Sequence, residues 1–437
     1  MTNSLKMKML YVTLGSLIAA SSASAKVYVN SMCTMKANSS GKVIEGDKNK
    51  DDKFPLASIS KVVTSLWAVE KLGPDYRYKT KLHVTKVSNN SYDVHIEGSR
   101  DPIFGRNASY YLISELNRAG VDIKKIENLT FDENFLLDWL AEEDPRIGGN
   151  TPYYETIQQQ AEAVRNSLIA DFATPIRKAM YDDLRKRAGT IGVKMEVAPN
   201  ISVTRVEFKP KSSFTKNSEM TTLVYKSAPL RTILKRMNNQ SNNYIADTLY
   251  WNLGGTAAFN QYIKTALAVG SDEMEFHLGS GNNANYIDKD FSKNVYNEAT
   301  CESMIKTLYR LDSLLEKSGY ELSEVMAVAG VDKASTVGKY DGEFVGSTTA
   351  KTGSVNKAKT LAGVVSTKNG EIYFAVLMNT DGRSEWGAAN GVIKTKVRGL
   401  INNNGGPKKI NYTKPILPLP FDTGSKLQNE ANLGTKG

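Results

Sequence analysis

Apolar and polar positions along the chain alternate in some stretches and recur at helical spacing in others. Val27 to Cys33 alternates and predicts a strand. The polar run Gly46 to Lys53 predicts a turn. From Ser58 to Leu72, Val62, Val63, Leu66, Trp67 and Val69 fall on one helical stripe, and Gly73-Pro74 stops it. Thr80, Leu82 and Val84 alternate again. Between about 86 and 225 the texture changes: short strands (Val94 to Ile96, Ile201 to Phe208) mix with a long polar helical stretch, Glu155 to Arg187. This predicts a separate, inserted domain. Ser227-Ala228-Pro229 opens another helix with Leu230, Ile233, Leu234 and Met237 on its apolar face. A further helix follows Ser241 and ends at Gly254-Gly255. Ser347 to Thr352, Leu361 to Ser366 and Glu371 to Met378 predict strands, the last two joined through Asn369-Gly370. Val392 to Leu400 predicts a closing helix. From Asn402 onward the Asn-, Gly-, Pro- and Lys-rich composition predicts a loosely packed tail.

The N-terminus adds an address. Lys6 and Lys8 precede an apolar stretch, Met9 to Ala20, and Ala23-Ser24-Ala25 is a small-residue cleavage site. Residues 1–25 therefore read as a signal peptide with cleavage after Ala25, and the protein as exported and periplasmic. No later segment is apolar and long enough to span a bilayer. The expected domain organisation is 26–85 plus 226–401 as one domain, 86–225 inserted, and 402–437 as a tail. Over 437 residues the net charge is +10, falling to about +8 without Lys6 and Lys8. That excess suits an anionic polymer or a membrane surface as partner, and it suits solubility alone at least as well. Cys33 and Cys301 can form a disulfide in an oxidising compartment or stay as two buried thiols; sequence leaves both open.

Several chemistries lack their residues. There are three histidines, His83, His95 and His277, and His83 and His95 sit in strand-like segments. HExxH, GxSxG, Walker and GxGxxG patterns are missing, and no close acid-rich cluster suggests a metal. Nucleophilic catalysis here needs a base other than histidine, and no cofactor or nucleic-acid partner is expected.

Three short motifs occur in order: Ser58-Ile59-Ser60-Lys61, Ser241-Asn242-Asn243 and Lys351-Thr352-Gly353. Each alone is weak, because Ser-x-x-Lys recurs at Ser213, Ser303 and Ser354, and Ser-x-Asn at Ser88, Ser280 and Ser292. Their order and context raise the signal. Ser58 and Lys61, three apart at a helix start, share a face. A serine hydroxyl needs a base to take its proton, and a lysine serves if burial lowers its pKa. Ser241 can relay protons, Asn243 can hold a substrate amide, and Lys351 with Thr352 can grip a carboxylate. The backbone N–H groups of Ser58 and Ser354 can form an oxyanion hole.

These motifs resemble those of the penicillin-recognising serine enzymes. The flanks resemble the penicillin-binding protein 4 type of D-alanyl-D-alanine carboxypeptidase/endopeptidase. They are Leu56 to Val62 with Leu72-Gly73-Pro74, Pro229-Leu230 with Met237 to Asn243, Ala350 to Ser354 with Leu361-Ala362-Gly363, Gly98 with Asp101-Pro102, and Gly279-Ser280-Gly281. The resemblance spans about Val27 to Leu400. It implies an α/β (α+β) fold with an antiparallel sheet flanked by helices. The long gap between Lys61 and Ser241 implies one smaller inserted domain. It also implies a Ser58 acyl-enzyme that hydrolyses D-Ala-D-Ala ends and D-Ala-diaminopimelate crosslinks of peptidoglycan stem peptides. Ser58, Lys61, Ser241, Asn243 and Lys351 would be catalytic, and Thr352, Gly353 and Ser354 substrate-binding. β-Lactam antibiotics would be covalent inhibitors. A β-lactamase differs only in rapid hydrolysis of the same adduct. A non-catalytic wall-binding protein of this fold would form none.

Overall fold

A computed structural model describes residues 28–39, 43–118, 123–137, 175–197, 199, 201–284, 294–413 and 418–433. The expected signal peptide and residues 155–174 of the expected polar helix lie outside them.

The central sheet joins the two ends of the sequence. Its order is β11-β12-β13-β14-β1-β2, all antiparallel. The strands are β1 (Asn30–Lys36), β2 (Glu45–Gly46), β11 (Ala327–Val328), β12 (Thr348–Val355), β13 (Ala358–Thr367) and β14 (Gly370–Asn379). On β14, Ile372, Phe374, Val376 and Met378 enter one core, and Tyr373, Ala375 and Leu377 enter the other. Both faces of this strand are covered, which is why its sequence reads as an apolar run rather than an alternation. At the hairpin Thr367 pairs with Gly370, whose φ of +112° supplies the turn conformation that glycine tolerates.

Helices cover both faces. On one side lie α1 (Ser60–Leu72), α4 (Leu230–Gln240), α5 (Asn243–Asn252), α6 (Gly255–Ala266) and α7 (Cys301–Lys317), packed around Trp67. Trp67 meets Tyr250 and Phe259 edge-on and stacks on Tyr262. On the other side α8 (Trp386–Asn403) buries Ala389, Ile393, Val397 and Ile401. A short three-stranded sheet, β3 (Phe54–Pro55), β10 (Glu298–Ala299) and β9 (Met274–Glu275), ties the entry of α1 to the chain before α7. The fold is thus the expected mixed architecture of an antiparallel sheet between helices.

Cys33 on β1 and Cys301 at the start of α7 form a disulfide, with Cα atoms 5.6 Å apart. It bridges a sequence separation of 268 residues, so it removes much chain freedom from the unfolded state.

A second body has its own core. β4 (Lys79–Ser88), β5 (Ser91–Glu97), β6 (Lys125–Phe131), β7 (Ser202–Phe208), β8 (Thr221–Lys226) and β15 (Gln428–Asn429) form a sheet in the order β15-β8-β4-β5-β6-β7. β5, β6 and β7 are parallel, and α2 (Arg106–Arg118) makes the crossover from β5 to β6. α2 and α3 (Pro175–Thr190) pack on the face carrying Leu82, Val84, Val94 and Ile96. On the opposite face His83 bonds Thr222 and Glu97, and His95 bonds Thr130 and stacks under Phe214 at 3.7 Å. Both histidines are buried structural groups. The sheet starts at Lys79, before residue 86, because β4 hydrogen-bonds to β8.

The expectation of a loose tail fails for residues 418–433. Leu419 and Phe421 are buried in the second core, and Phe421 stacks on Tyr111 at 4.2 Å. Asp422 pairs with Arg77 at 2.7 Å, and β15 extends the sheet at β8. The segment's polar average hides these few anchoring side chains.

Replacing Cys33 by serine is expected to lower the stability of the folded chain by about 2–5 kcal/mol. Urea unfolding curves of wild type and variant, each with and without reductant, check it, and reductant should affect only the wild type.

Candidate active site

The three motifs meet where α1, the α4–α5 junction and β12 converge. Ser58 sits on a 3₁₀ turn, Ala57–Ile59, two residues before α1 begins at Ser60, and not inside α1 itself. Ala57 has φ +51°, a conformation an alanine adopts only when its surroundings hold it. They do so here through several contacts. Leu56 N–H donates to the Asn297 carbonyl at 2.8 Å, and the Leu56 carbonyl accepts from Thr360 Oγ1 at 2.9 Å. Gly281, with φ +71°, runs so close that a Cβ on it would lie 2.1 Å from the Ala57 carbonyl oxygen.

Lys61 follows one turn later and is fully buried. Its Nζ donates to Ser58 Oγ at 3.0 Å, to Asn243 Oδ1 at 2.6 Å and to the Ser280 carbonyl at 3.0 Å. Burial pulls its pKa down to about 7, opposed by the negative charge of Asp247. Asp247 itself is pushed up to about 6 by desolvation. Its Oδ1 accepts from the Ser280 N–H at 2.7 Å, so one residue, through its N–H and its carbonyl, links the carboxylate to the Lys61 amine.

Ser241 terminates α4 in the left-handed conformation, φ +56°, and Asn242 caps α5 by accepting from Ile245 N–H. This tight break turns Ser241 and Asn243 toward the cleft. α4 is anchored by a buried ion pair between Lys235 and Asp332 at 2.8 Å, and Lys235 also donates to the Ser323 and Met326 carbonyls. Asn238 donates to Ser65 Oγ and to the Val325 carbonyl, fixing α4 against α1.

Lys351 of β12 is fully buried and donates to Ser241 Oγ at 2.9 Å. Desolvation lowers its pKa well below the usual lysine range, and the charges of Lys61 and Lys359 push the same way. Thr352 and Ser354 lie two apart on β12 and share a face. Gly353 between them has no room for a side chain: a Cβ would fall 2.1 Å from Thr360 Oγ1. Ser354 Oγ accepts from Lys359 Nζ at 2.5 Å across the β12–β13 hairpin.

All eight residues singled out in the sequence thus fall on one cleft. Four others were missed. Asp247 follows Asn243 by one helical turn, so its face was readable from spacing. Lys359 faces Ser354 across a two-residue hairpin, also readable. Ser280 lies in the Gly279-Ser280-Gly281 stretch that carries the resemblance but had no role assigned from it, and Asn297, whose side chain binds the backbone of His277 and Leu278, carried no local signal. Among the described residues no group of three or more His, Cys, Asp or Glu could hold a metal ion, and no helix is long and apolar enough to cross a membrane.

A serine beside a desolvated lysine, flanked by a second Ser–Lys pair on an antiparallel sheet between helices, defines the class of penicillin-recognising serine enzymes. The chain belongs to the D-Ala-D-Ala carboxypeptidase 3 (S13) peptidase family, whose model matches residues 25–156 and 204–395. It is a serine DD-peptidase by that membership. Among solved structures, it is 64% identical to the predatory endopeptidase Bd3459 of Bdellovibrio bacteriovorus in complex with immunity protein Bd3460. That match has a TM-score of 0.86 and covers 92% of this chain and 99% of that one. A penicillin G-acylated form of Bd3459 in the same complex matches at 61% identity and TM-score 0.82, covering 92% and 99%. Penicillin-binding protein 4 of Haemophilus influenzae shares the fold at 21% identity and TM-score 0.51, covering 81% of this chain and 90% of that one. No curated protein matches the chain.

Gly281→Ala is expected to leave the protein folded but to slow acylation of the site by penicillin G roughly a hundredfold, because the turn carrying Ser58 must shift. Stopped-flow acylation rates alongside a far-ultraviolet circular dichroism spectrum check it.

Proposed function

We propose that this serine DD-peptidase acts on peptidoglycan in the periplasm through an acyl-enzyme on Ser58. The observation that carries the reading is the Lys61 amine, stripped of water and 3.0 Å from Ser58 Oγ. Ser58 Oγ attacks the carbonyl carbon of the penultimate D-Ala, and its proton passes to neutral Lys61. The backbone N–H groups of Ser58 and Ser354 receive the developing oxyanion. The C–N bond then breaks as the proton held on Lys61 passes by way of Ser241 Oγ, held by Lys351, to the departing amine, which leaves Lys61 neutral again. Water then gives a proton to Lys61 as its oxygen bonds the acyl carbon, the ester C–O bond to Ser58 breaks, and Lys61 returns that proton to Ser58 Oγ. Asn243 orients Lys61 and meets the substrate amide. Lys351 lies in low dielectric with cations near it, so a substrate carboxylate on Thr352 and Ser354 supplies the missing counter-charge.

The substrates are D-Ala-D-Ala ends and D-Ala-diaminopimelate crosslinks of stem peptides. β-Lactams acylate the same serine, a reading supported by the Bd3459 relative, which is found acylated by penicillin G. An immunity protein of the kind found with that relative is a candidate partner. Export through residues 1–25, with cleavage after Ala25, accords with the Cys33–Cys301 disulfide, which persists in an oxidising compartment.

Intact-mass spectrometry after brief exposure to penicillin G is expected to show one drug-sized adduct on the wild type and none on Ser58→Ala. An adduct retained by the variant would refute the assignment. Absence of any adduct with fast drug hydrolysis would favour a β-lactamase, and absence of both a wall-binding protein.

Only neutral Lys61 can accept the Ser58 proton, and its folded pKa is lowered to about 7. Acylation should therefore rise with pH through neutrality and level off above it, rather than climbing toward pH 10. Lys61→Ala should lower the plateau by about 10²–10⁴-fold, read from the pH profile of acylation.

A further inference from the structure

A cavity of about 620 Å³ opens directly beyond Thr352 and Ser354. Its walls are the loop carrying Lys333, Lys339 and Tyr340, the hairpin residue Lys359, and the first turns of α8 with Trp386 and Lys394. The lining holds four lysines and no carboxylate.

Among the described residues these four cations are not neutralised. Among the described residues none has a carboxylate within ion-pair distance, whereas Lys235 pairs with Asp332, Lys211 with Glu97 and Lys306 with Glu302. Lys359 donates to Ser354 Oγ and lies 5.8 Å from the Trp386 ring centre. Lys394 lies 4.2 Å from the Tyr340 ring centre. The Trp386 indole is itself fixed by donating to the Val355 carbonyl at 3.0 Å. The cavity therefore joins a rigid aromatic wall to unpaired positive charge, a combination that fits an anionic chain with apolar methylenes.

Its place sets what enters it. In the reaction proposed above, the carboxylate next to the scissile amide sits on Thr352 and Ser354. A terminal D-Ala ends there. The departing half of a crosslink continues into the cavity, with diaminopimelate methylenes and further stem carboxylates. We propose that this lysine-lined cavity seats the leaving, acceptor-side stem peptide of a crosslink and so favours endopeptidase over carboxypeptidase action. The proposal rests on the peptidoglycan reading of the catalytic centre. Lys359 couples the two regions through its bond to Ser354.

The test uses the mature protein and a variant, Lys333→Gln/Lys339→Gln/Lys394→Gln, that leaves Lys359 and the catalytic groups intact. Three reactions are measured: cleavage of a diaminopimelate-crosslinked muropeptide dimer, release of D-Ala from a monomeric pentapeptide, and acylation by penicillin G. The dimer is expected to lose roughly tenfold in kcat/KM at low salt, mainly through KM, with the loss shrinking at about 0.5 M salt. The other two reactions should stay near wild type. Dimer cleavage equal to wild type overturns the proposal, and so does an equal loss in all three reactions, which would mark a damaged centre instead of a lost subsite. A wild-type protein that takes penicillin but cleaves neither peptide overturns the peptidoglycan reading itself.

Discussion

The burial of one lysine amine organises the site. Lys61 can exist without water only because three segments, far apart in sequence, each offer it an oxygen: Ser58, Asn243 and Ser280. A buried ammonium without such partners would cost several kcal/mol. The strained turn at Ala57, the left-handed break at Ser241 and the close pass of Gly281 are the backbone compromises that bring those oxygens together. The same desolvation that makes the amine costly to bury turns it into a base near neutral pH.

Charge is distributed along the cleft in a graded way. Asp247, linked through the backbone of Ser280, moderates the positive charge on Lys61. Lys351 has no such compensation, and Lys359 and the cavity beyond add further cations. The cleft is therefore balanced at the nucleophile and positive toward the side where a substrate carboxylate sits. Such a gradient orients an anionic peptide before any bond is made.

The framework around this gradient is held at long range. The sheet inserts the N-terminal strand β1 beside β14, and the disulfide fastens β1 to α7, which packs on α1. The second body grows from the chain between α1 and α4, and residues 418–433 fold back onto it through Phe421 and Asp422. Both ends of the described chain are thus used as structure.

Elements with strong local periodicity were legible in the sequence. The helix after Ser58, the helix from Leu230 and the three closing strands sit within a few residues of their expected bounds, because their apolar spacing is set by neighbours along the chain. The Ser58–Lys61 pairing was legible for the same reason, since a separation of three fixes a shared face. The pairing of Cys33 with Cys301, the anchoring of Phe421 under a polar average, and the Ser280 carbonyl on Lys61 were not. Each depends on a partner that no spacing rule connects. The sequence by itself determined which side chains could react. Tertiary structure decided that Lys61 is dry enough to be a base and that Lys333, Lys339, Lys359 and Lys394 have no carboxylate partner among the described residues, because desolvation and pairing are imposed by whatever other segments close over a group.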